Sequence, residues 1–265
     1  MKFNAACLQL TSNDNPSDNL DIVLDLSTQS ISQGADFILT PENTFLLTLD
    51  ANVLIERAES FANSKSIKSI QEFSKKNQVW FLIGATPVKI DNHIMNRSIL
   101  INPDGKIIST YDKIHMFDVN LPNGESYKES DKFKAGKDLT ITETPWGKIG
   151  LSVCYDLRFP NHYRQLMKMG SFLLTVPSAF TKNTGERHWH TLLKARAIEN
   201  FCYVLAPAQT GKHFNDRETY GHSLIISPDG KVLAERKDGV GFIIAEVDTK
   251  TPSILRAQIP STIID

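Results

Sequence analysis

The chain has 265 residues, 41% of them hydrophobic and 22% charged, the balance of a soluble globular protein with a large core. Its formal net charge of −1 argues against nucleic acid or an anionic membrane as partner, and no run of about 18 apolar residues is present to span a bilayer. Three cysteines, Cys7, Cys154 and Cys202, are too few and too scattered for a disulfide framework. With no secretory leader pattern after Met1, they point to a reducing cytoplasm, where one thiol can be kept for chemistry.

In chain order, "FNAACLQL" reads as a buried strand and "NPSDNLDIVLDLSTQSISQG" as a helix closed by Gly34. "DFILTPE" is a second strand that stops at Pro41, and a helix over Lys65–Asn77 leads into "VWFLIGATP", a third. "RSILINPDGKIISTYDK" is a hairpin, because Pro presets φ at the turn and Gly accepts positive φ. Then come the strand "GKIGLSV", the helix "NHYRQLMKMG", the strand "SFLLTVP", the helix "HWHTLLKARAIEN" and the strand "YVLAPA". A second hairpin, "HSLIISPDGKVLAERK", follows.

Aligned from Ser98 and Ser223, the two hairpins share Pro-Asp-Gly-Lys at the turn, with apolar residues on both sides. We read this as an internal repeat in which each half contributes a sheet. Alternating strands and helices then give an α/β fold, a four-layer α-β-β-α sandwich. No linker or low-complexity tract interrupts residues 1–265, so a single domain is expected.

Cys154 ends the strand in "GLSVCYDLRFP" where a turn into a helix begins. That geometry exposes a side chain at the sheet edge and aims backbone N–H groups outward. A helix dipole and a nearby cation there are expected to lower the thiol pKa. Glu42 follows another strand, at the strand ends where α/β active sites gather, and Lys113 ends a third. Each alone is weak, because such charges usually belong to solvated loops; three at three strand ends are harder to dismiss.

With their flanking residues, "DFILTPEN", "YDKIHMF" and "GLSVCYDLRFP", these three resemble the nitrilase (carbon–nitrogen hydrolase) superfamily over essentially the whole chain. The resemblance implies the same four-layer sandwich and no cofactor. It implies that Glu42 is the general base and that Cys154 forms a thioester with the acyl group of a non-peptide amide. Lys113 and the N–H of Tyr155 would stabilise the oxyanion. Glu129 in "YKESDKF" matches a second glutamate that orients Lys113. A histidine base drawn from His115, His188, His190 or His222 has no spacing to select it. The "HWH" at 188–190 places its two rings on different sides of a helix with no companion ligands, so no metal is expected.

Arg158, four residues after Cys154, could hold a substrate carboxylate, or it could pair with Asp156. Arg196 and Glu199 read as a structural i, i+3 pair. The segment from "PSAFTKNTGERHWH" to "AQTGKHFNDRETYGHS" resembles the branch acting on deaminated glutathione, and shares features with the omega-amidase branch. It nominates Phe180, Thr184, His188 and Tyr220 as pocket walls. The partner implied is a small amide bearing a carboxylate, and family members assemble as homodimers or larger homo-oligomers. N-carbamoyl-amino-acid hydrolysis stays open. A catalytically silent scaffold would need a damaged triad, and a glutamine-hydrolysing subunit would need a separate synthetase.

Overall fold

The computed structural model describes residues 1–121, 124, 126–213 and 217–262. Phe214–Asp216, within the last segment quoted above, lie outside that range. The first half runs β1 (Lys2–Gln9), α1 (Pro16–Ser32), β2 (Phe37–Leu39), α2 (Ala51–Arg57), β3 (Glu59–Ser60), α3 (Lys65–Asn77) and β4 (Trp80–Ile90). It continues through β5 (His93–Ile101), β6 (Ile107–Asp112), β7 (Asp118–Asn120) and β8 (Ser126–Lys128). The second half is β9 (Thr140–Thr144), β10 (Gly147–Leu151), α4 (Pro160–Lys168), β11 (Leu173–Thr175), α5 (Lys182–Asn200) and β12 (Tyr203–Ala206). It ends with β13 (Thr210–Lys212), β14 (Glu218–Tyr220), β15 (Ser223–Ile226), β16 (Val232–Arg236), β17 (Gly241–Asp248) and α6 (Thr251–Gln258).

The layers follow from the two-residue period of the strands. In β1, Phe3, Ala5 and Cys7 enter one apolar cluster while Ala6 and Leu8 enter another. In β2, Phe37 and Leu39 join the first and Ile38 the second; in β4, Leu82 joins the first and Phe81 and Ile83 the second. The second cluster lies under α1 and α3, which contribute Val23, Leu26, Ile67 and Ile70. The first is shared with a second sheet through Ile149, Leu173 and Val204, and extends to Tyr163 of α4 and Trp189 of α5. The architecture is a four-layer α-β-β-α sandwich.

The two sheets match strand for strand. One runs β17-β1-β2-β4-β5-β6, with β3 appended to β4, and the other runs β9-β10-β11-β12-β15-β16. Each has a parallel triplet, an antiparallel strand on one side and the Pro-Asp-Gly hairpin on the other. The hairpins even bulge at equivalent positions, skipping Ile108 after Leu100/Ile101 and Leu233 after Ile225/Ile226. The repeat read from two short hairpins is therefore carried by the whole topology.

Helix ends also follow local chemistry. Asn15 caps α1 by accepting the Ser17 N–H, with Pro16 at the first position. Helix α5 starts at Lys182, a turn and a half earlier than the "HWH" stretch suggested, because Thr181 and Thr184 satisfy each other at 2.8 Å in its first turn. Elements with weak apolar patterning escaped the sequence: α2, α6 and the small β7–β8 and β13–β14 hairpins.

At the N-terminal ends of β1, β2 and β4 the sandwich is closed by aromatic rings. Trp146, in the β9–β10 turn, stacks on Phe3 at 4.0 Å and lies 5.9 Å from both Phe37 and Trp80. Trp146→Ala should lower unfolding free energy by about 3 kcal/mol in urea titration, while the folded fraction keeps its turnover; an unchanged midpoint would show that the rings do not join the layers.

Candidate active site

The opposite ends of the strands bring the candidate residues together. Glu42 follows β2, Lys113 follows β6 and Cys154 follows β10, so the first two come from one sheet and the third from the other. The Lys113 Nζ donates to Glu42 Oε1 at 2.8 Å and to Glu129 at 2.9 and 2.7 Å. Cys154 is hydrogen-bonded to Glu42. All four residues line one cleft, walled by both apolar and polar side chains.

A bulge in β4 places Glu42. Register shifts between Ile83 and Thr86, and the backbone groups freed there bond the turn that carries the glutamate. Gly84 N–H donates to Thr40 Oγ1 at 3.0 Å, and Thr44 N–H donates to Ala85 O at 2.9 Å. The approach is too close for any side chain: a Cβ on Gly84 would sit 1.8 Å from Thr40 O and 2.5 Å from Pro177 Cβ. The Pro177–Ala179 loop after β11 then joins the sheets, since Pro177 O accepts the Cys154 N–H at 3.0 Å and the Ala179 N–H donates to Glu42 Oε2 at 2.9 Å.

Cys154 itself is in the left-handed region, φ +48, a costly conformation for a side-chain-bearing residue. It opens a 3-10 turn over Cys154–Arg158, not an α-helix. Asp156, fully buried, holds that turn by accepting Val153 N–H at 2.8 Å and the Tyr111 hydroxyl at 2.7 Å. Its other oxygen accepts the His115 N–H at 3.1 Å and contacts the His115 ring at 2.6 Å. Tyr111 and His115 flank Lys113, so one carboxylate clamps the cysteine turn to the lysine loop. Asp156 therefore does not pair with Arg158.

The electrostatics correct one expectation. The Cys154 thiol is pushed up, not down: burial is the main cause, the Glu42 charge adds to it, and Lys113 opposes it only partly. Burial would also raise Glu42, but the Lys113 charge and the hydrogen bonds to it hold that carboxyl below its ordinary range. Burial would lower Lys113; Glu129 and Glu42 outweigh it and hold the ammonium above the usual lysine value. The resting site is a thiol beside a carboxylate–ammonium–carboxylate cluster.

Of the other residues named from sequence, Tyr155, Phe180 and Thr184 line the cleft; Arg158, His188 and Tyr220 do not. Arg158 contacts His188 at 3.3 Å and lies over Phe180 at 5.1 Å, with no carboxylate partner among the described residues. Tyr220 packs on Gly185 of α5, where a Cβ would come within 2.4 Å of the ring, and stacks on His222 at 4.1 Å. The two rings of "HWH" do diverge, but His190 has companions after all: it and His222 both contact Glu235 Oε1, at 3.0 and 2.6 Å. Arg196 bonds Glu199 at 2.7 Å and donates to Leu157 O at 3.1 Å, so it supports the cysteine turn.

Sequence reasoning missed Asn96, whose Nδ2 donates to Glu42 Oε1 at 3.0 Å while its backbone O accepts the Lys113 N–H at 3.0 Å. A polar residue inside the otherwise apolar "HIMNRSILI" was the available signal. It also missed Lys132 and Arg217, two cations in the cleft wall.

The family model for carbon–nitrogen hydrolases matches residues 4–253. The chain belongs to the carbon–nitrogen hydrolase family. It is 41% identical over 262 residues to the deaminated glutathione amidase of Synechocystis sp., covering 97% of this chain and 96% of the relative. To the deaminated glutathione amidase of Yersinia enterocolitica it is 37% identical, covering 97% and 91%. Among solved structures, the Caenorhabditis elegans NitFhit protein superposes with a TM-score of 0.94 at 34% identity, over all of this chain and 65% of that longer one. Saccharomyces cerevisiae Nit3, a member of branch 10 of the nitrilase superfamily, gives 0.88 at 27% identity over 98% and 94%. This carbon–nitrogen hydrolase is thus an enzyme of the nitrilase superfamily.

Gly84→Ala should cost roughly 100-fold in kcat/KM by displacing Glu42 on the order of an ångström. Circular dichroism and kinetics on the purified variant check this; full activity would show that the bulge does not set the base.

Proposed function

We propose that this enzyme is an amidase of deaminated glutathione, working through a Cys154 thioester. The observation that carries it is the Glu42–Lys113–Glu129 cluster hydrogen-bonded to Cys154 on the floor of a small-molecule cleft. The substrate follows the names of the relatives that are similar over nearly the full length.

Glu42 takes the Sγ proton as sulfur attacks the amide carbon. The raised thiol pKa makes this transfer part of the attack, because a free thiolate is not stored in the resting enzyme. Negative charge on the carbonyl oxygen meets Lys113 Nζ and the Tyr155 N–H, which lies in the first turn of the 3-10 segment and has no backbone acceptor among the described residues. Glu42 returns the proton to the leaving nitrogen, and the amine departs. Water, deprotonated by Glu42, then cleaves the thioester and frees the acid and the thiol. Glu129 holds Lys113 charged and aimed, with its own Oε2 fixed by the Phe117 N–H at 2.6 Å.

A cytoplasmic homodimer or larger homo-oligomer belongs to this reading. Three unpaired thiols suit a reducing compartment, and the exposed apolar Ile198 of α5 and Ile254 of α6 suit a subunit contact. Among the described residues no helix is long and apolar enough to cross a membrane.

Deaminated glutathione should be hydrolysed, and Cys154→Ala should abolish the reaction. Mass spectrometry of quenched wild-type enzyme should find the acyl adduct on Cys154. Hydrolysis of α-ketoglutaramate or an N-carbamoyl amino acid instead would reject the substrate and keep the nucleophile.

The pH dependence follows from the signs above. Glu42, held low, stays ionised until pH falls through its depressed pKa, and Lys113, held high, stays charged through neutrality. The kcat should be flat between about pH 6 and 8. A kinetic pKa near neutrality, removed by substituting a histidine, would displace Glu42 as the base.

A further inference from the structure

We propose that Lys132 and Arg217 form an anion subsite in the active-site cleft, binding a substrate carboxylate remote from the scissile amide. The proposal rests on the amidase reading above and extends it from the reaction to the selection of the substrate.

Three cations line the cleft besides Lys113: the exposed Lys128, and the half-buried Lys132 and Arg217. Lys113 is committed to two carboxylates. Lys132 and Arg217 have none within ion-pair distance among the described residues. Each is anchored instead by a neutral carbonyl: Lys132 Nζ donates to Leu49 O, and Arg217 Nη2 donates to Ala179 O at 3.0 Å. Such anchors aim a charge without cancelling it. The Arg217 guanidinium also rests on the Tyr127 ring, 5.6 Å from its centroid. Its Nε is buried without a hydrogen-bond partner, a cost that a built-in structural arginine would normally avoid.

The two charges feel each other. Burial, and after it the Arg217 charge, hold the Lys132 ammonium below the ordinary lysine value against the opposing pull of Asp50 and Asp131, so an anion entering beside the two cations would be welcome. Asp50 and Asp131 act on Lys132 through space without an ion pair to it, and Glu129, which lines the cleft, is occupied by Lys113 and the Phe117 N–H. Arg158 is a separate cation: it lies outside the cleft lining, against His188 and Phe180. Ala179 ties the pair to the chemistry, its carbonyl bonding Arg217 and its N–H bonding Glu42. A carboxylate held there is positioned from the same residue that positions the base. Deaminated glutathione suits such a wall, because it carries a carboxylate on each side of its scissile amide.

The test reads protection of Cys154, which needs no turnover. Alkylation of Cys154 by iodoacetamide is followed by mass spectrometry with increasing glutarate, a dicarboxylate, or glutaramide, its neutral diamide. In the wild type glutarate should protect roughly 10- to 100-fold more tightly than glutaramide, the scale of charge-assisted hydrogen bonds. That ratio should collapse toward one in Lys132→Met and in Arg217→Met, and Lys132→Arg should restore it. No preference for glutarate in the wild type, or a preference that survives both substitutions and is lost in Arg158→Met, would overturn the subsite. Turnover of deaminated glutathione is measured alongside: its absence rejects the substrate reading and leaves the protection ratio to decide the subsite.

Discussion

A buried ammonium between two carboxylates is the constraint around which this enzyme is arranged. Lys113 is 2% exposed, and an isolated charge at that depth would cost several kcal/mol. Glu42 and Glu129 offset the cost, but leave one net negative charge in the interior. The surrounding backbone answers it with the N–H groups of Ala179 and Phe117, and Asn96 adds its amide. Every one of those donors comes from a loop or strand whose path is fixed elsewhere. The cluster can therefore exist only in the finished sandwich, which ties folding and chemistry to the same few atoms.

Cys154 depends on the same arrangement in a different way. Its left-handed backbone is held by Asp156 within the same turn and by Pro177 and Arg196 from other elements. The thiol is kept protonated by burial and by the adjacent carboxylate. Reactivity then waits for a substrate that brings an electrophilic carbon beside the Cys154–Glu42 pair. A thiol held protonated in this way is shielded from oxidants and stray electrophiles. Cys202 shows the contrast: burial pushes its thiol up to about 12, and Arg256 contacts the sulfur from α6, so its position is structural.

Much of this was legible in the chain. The apolar runs that end at Pro41 and Cys154 announced strands whose C-terminal ends carry side chains, and the paired Pro-Asp-Gly turns announced a duplicated sheet. Glu42, Lys113 and Cys154 stood out because their neighbours are as characteristic as they are, and the fold brings all three to one cleft. What stayed hidden depends on distance through space. Asp156 looked like the partner of nearby Arg158, yet it bonds Tyr111 and His115, more than 40 positions away. Gly84 gave no local sign that a turn from one strand and a proline from the other sheet would press on it. The thiol pKa went wrong for a related reason: the junction suggested a helix dipole, whereas burial, which no local pattern encodes, dominates. His190 gained Glu235 from β16, and Tyr220 packs on Gly185 of α5, partners that adjacent sequence could not supply.

The last strand of the first sheet comes from the far end of the chain. β17 pairs with β1 along its whole length, from Lys2 opposite Asp248 to Gln9 opposite Gly241. During synthesis the first strand leaves the ribosome more than 200 residues before its neighbour does, and until then it presents an unpaired edge. The same delay applies to the inner face of that sheet, which has no second layer until β10 to β12 arrive. Completion of the sandwich thus waits until β17 has been made. An interrupted chain would hold Glu42 and Cys154 without the strand that closes the sheet around them, and would expose the surfaces by which a chaperone or a protease recognises unfinished protein.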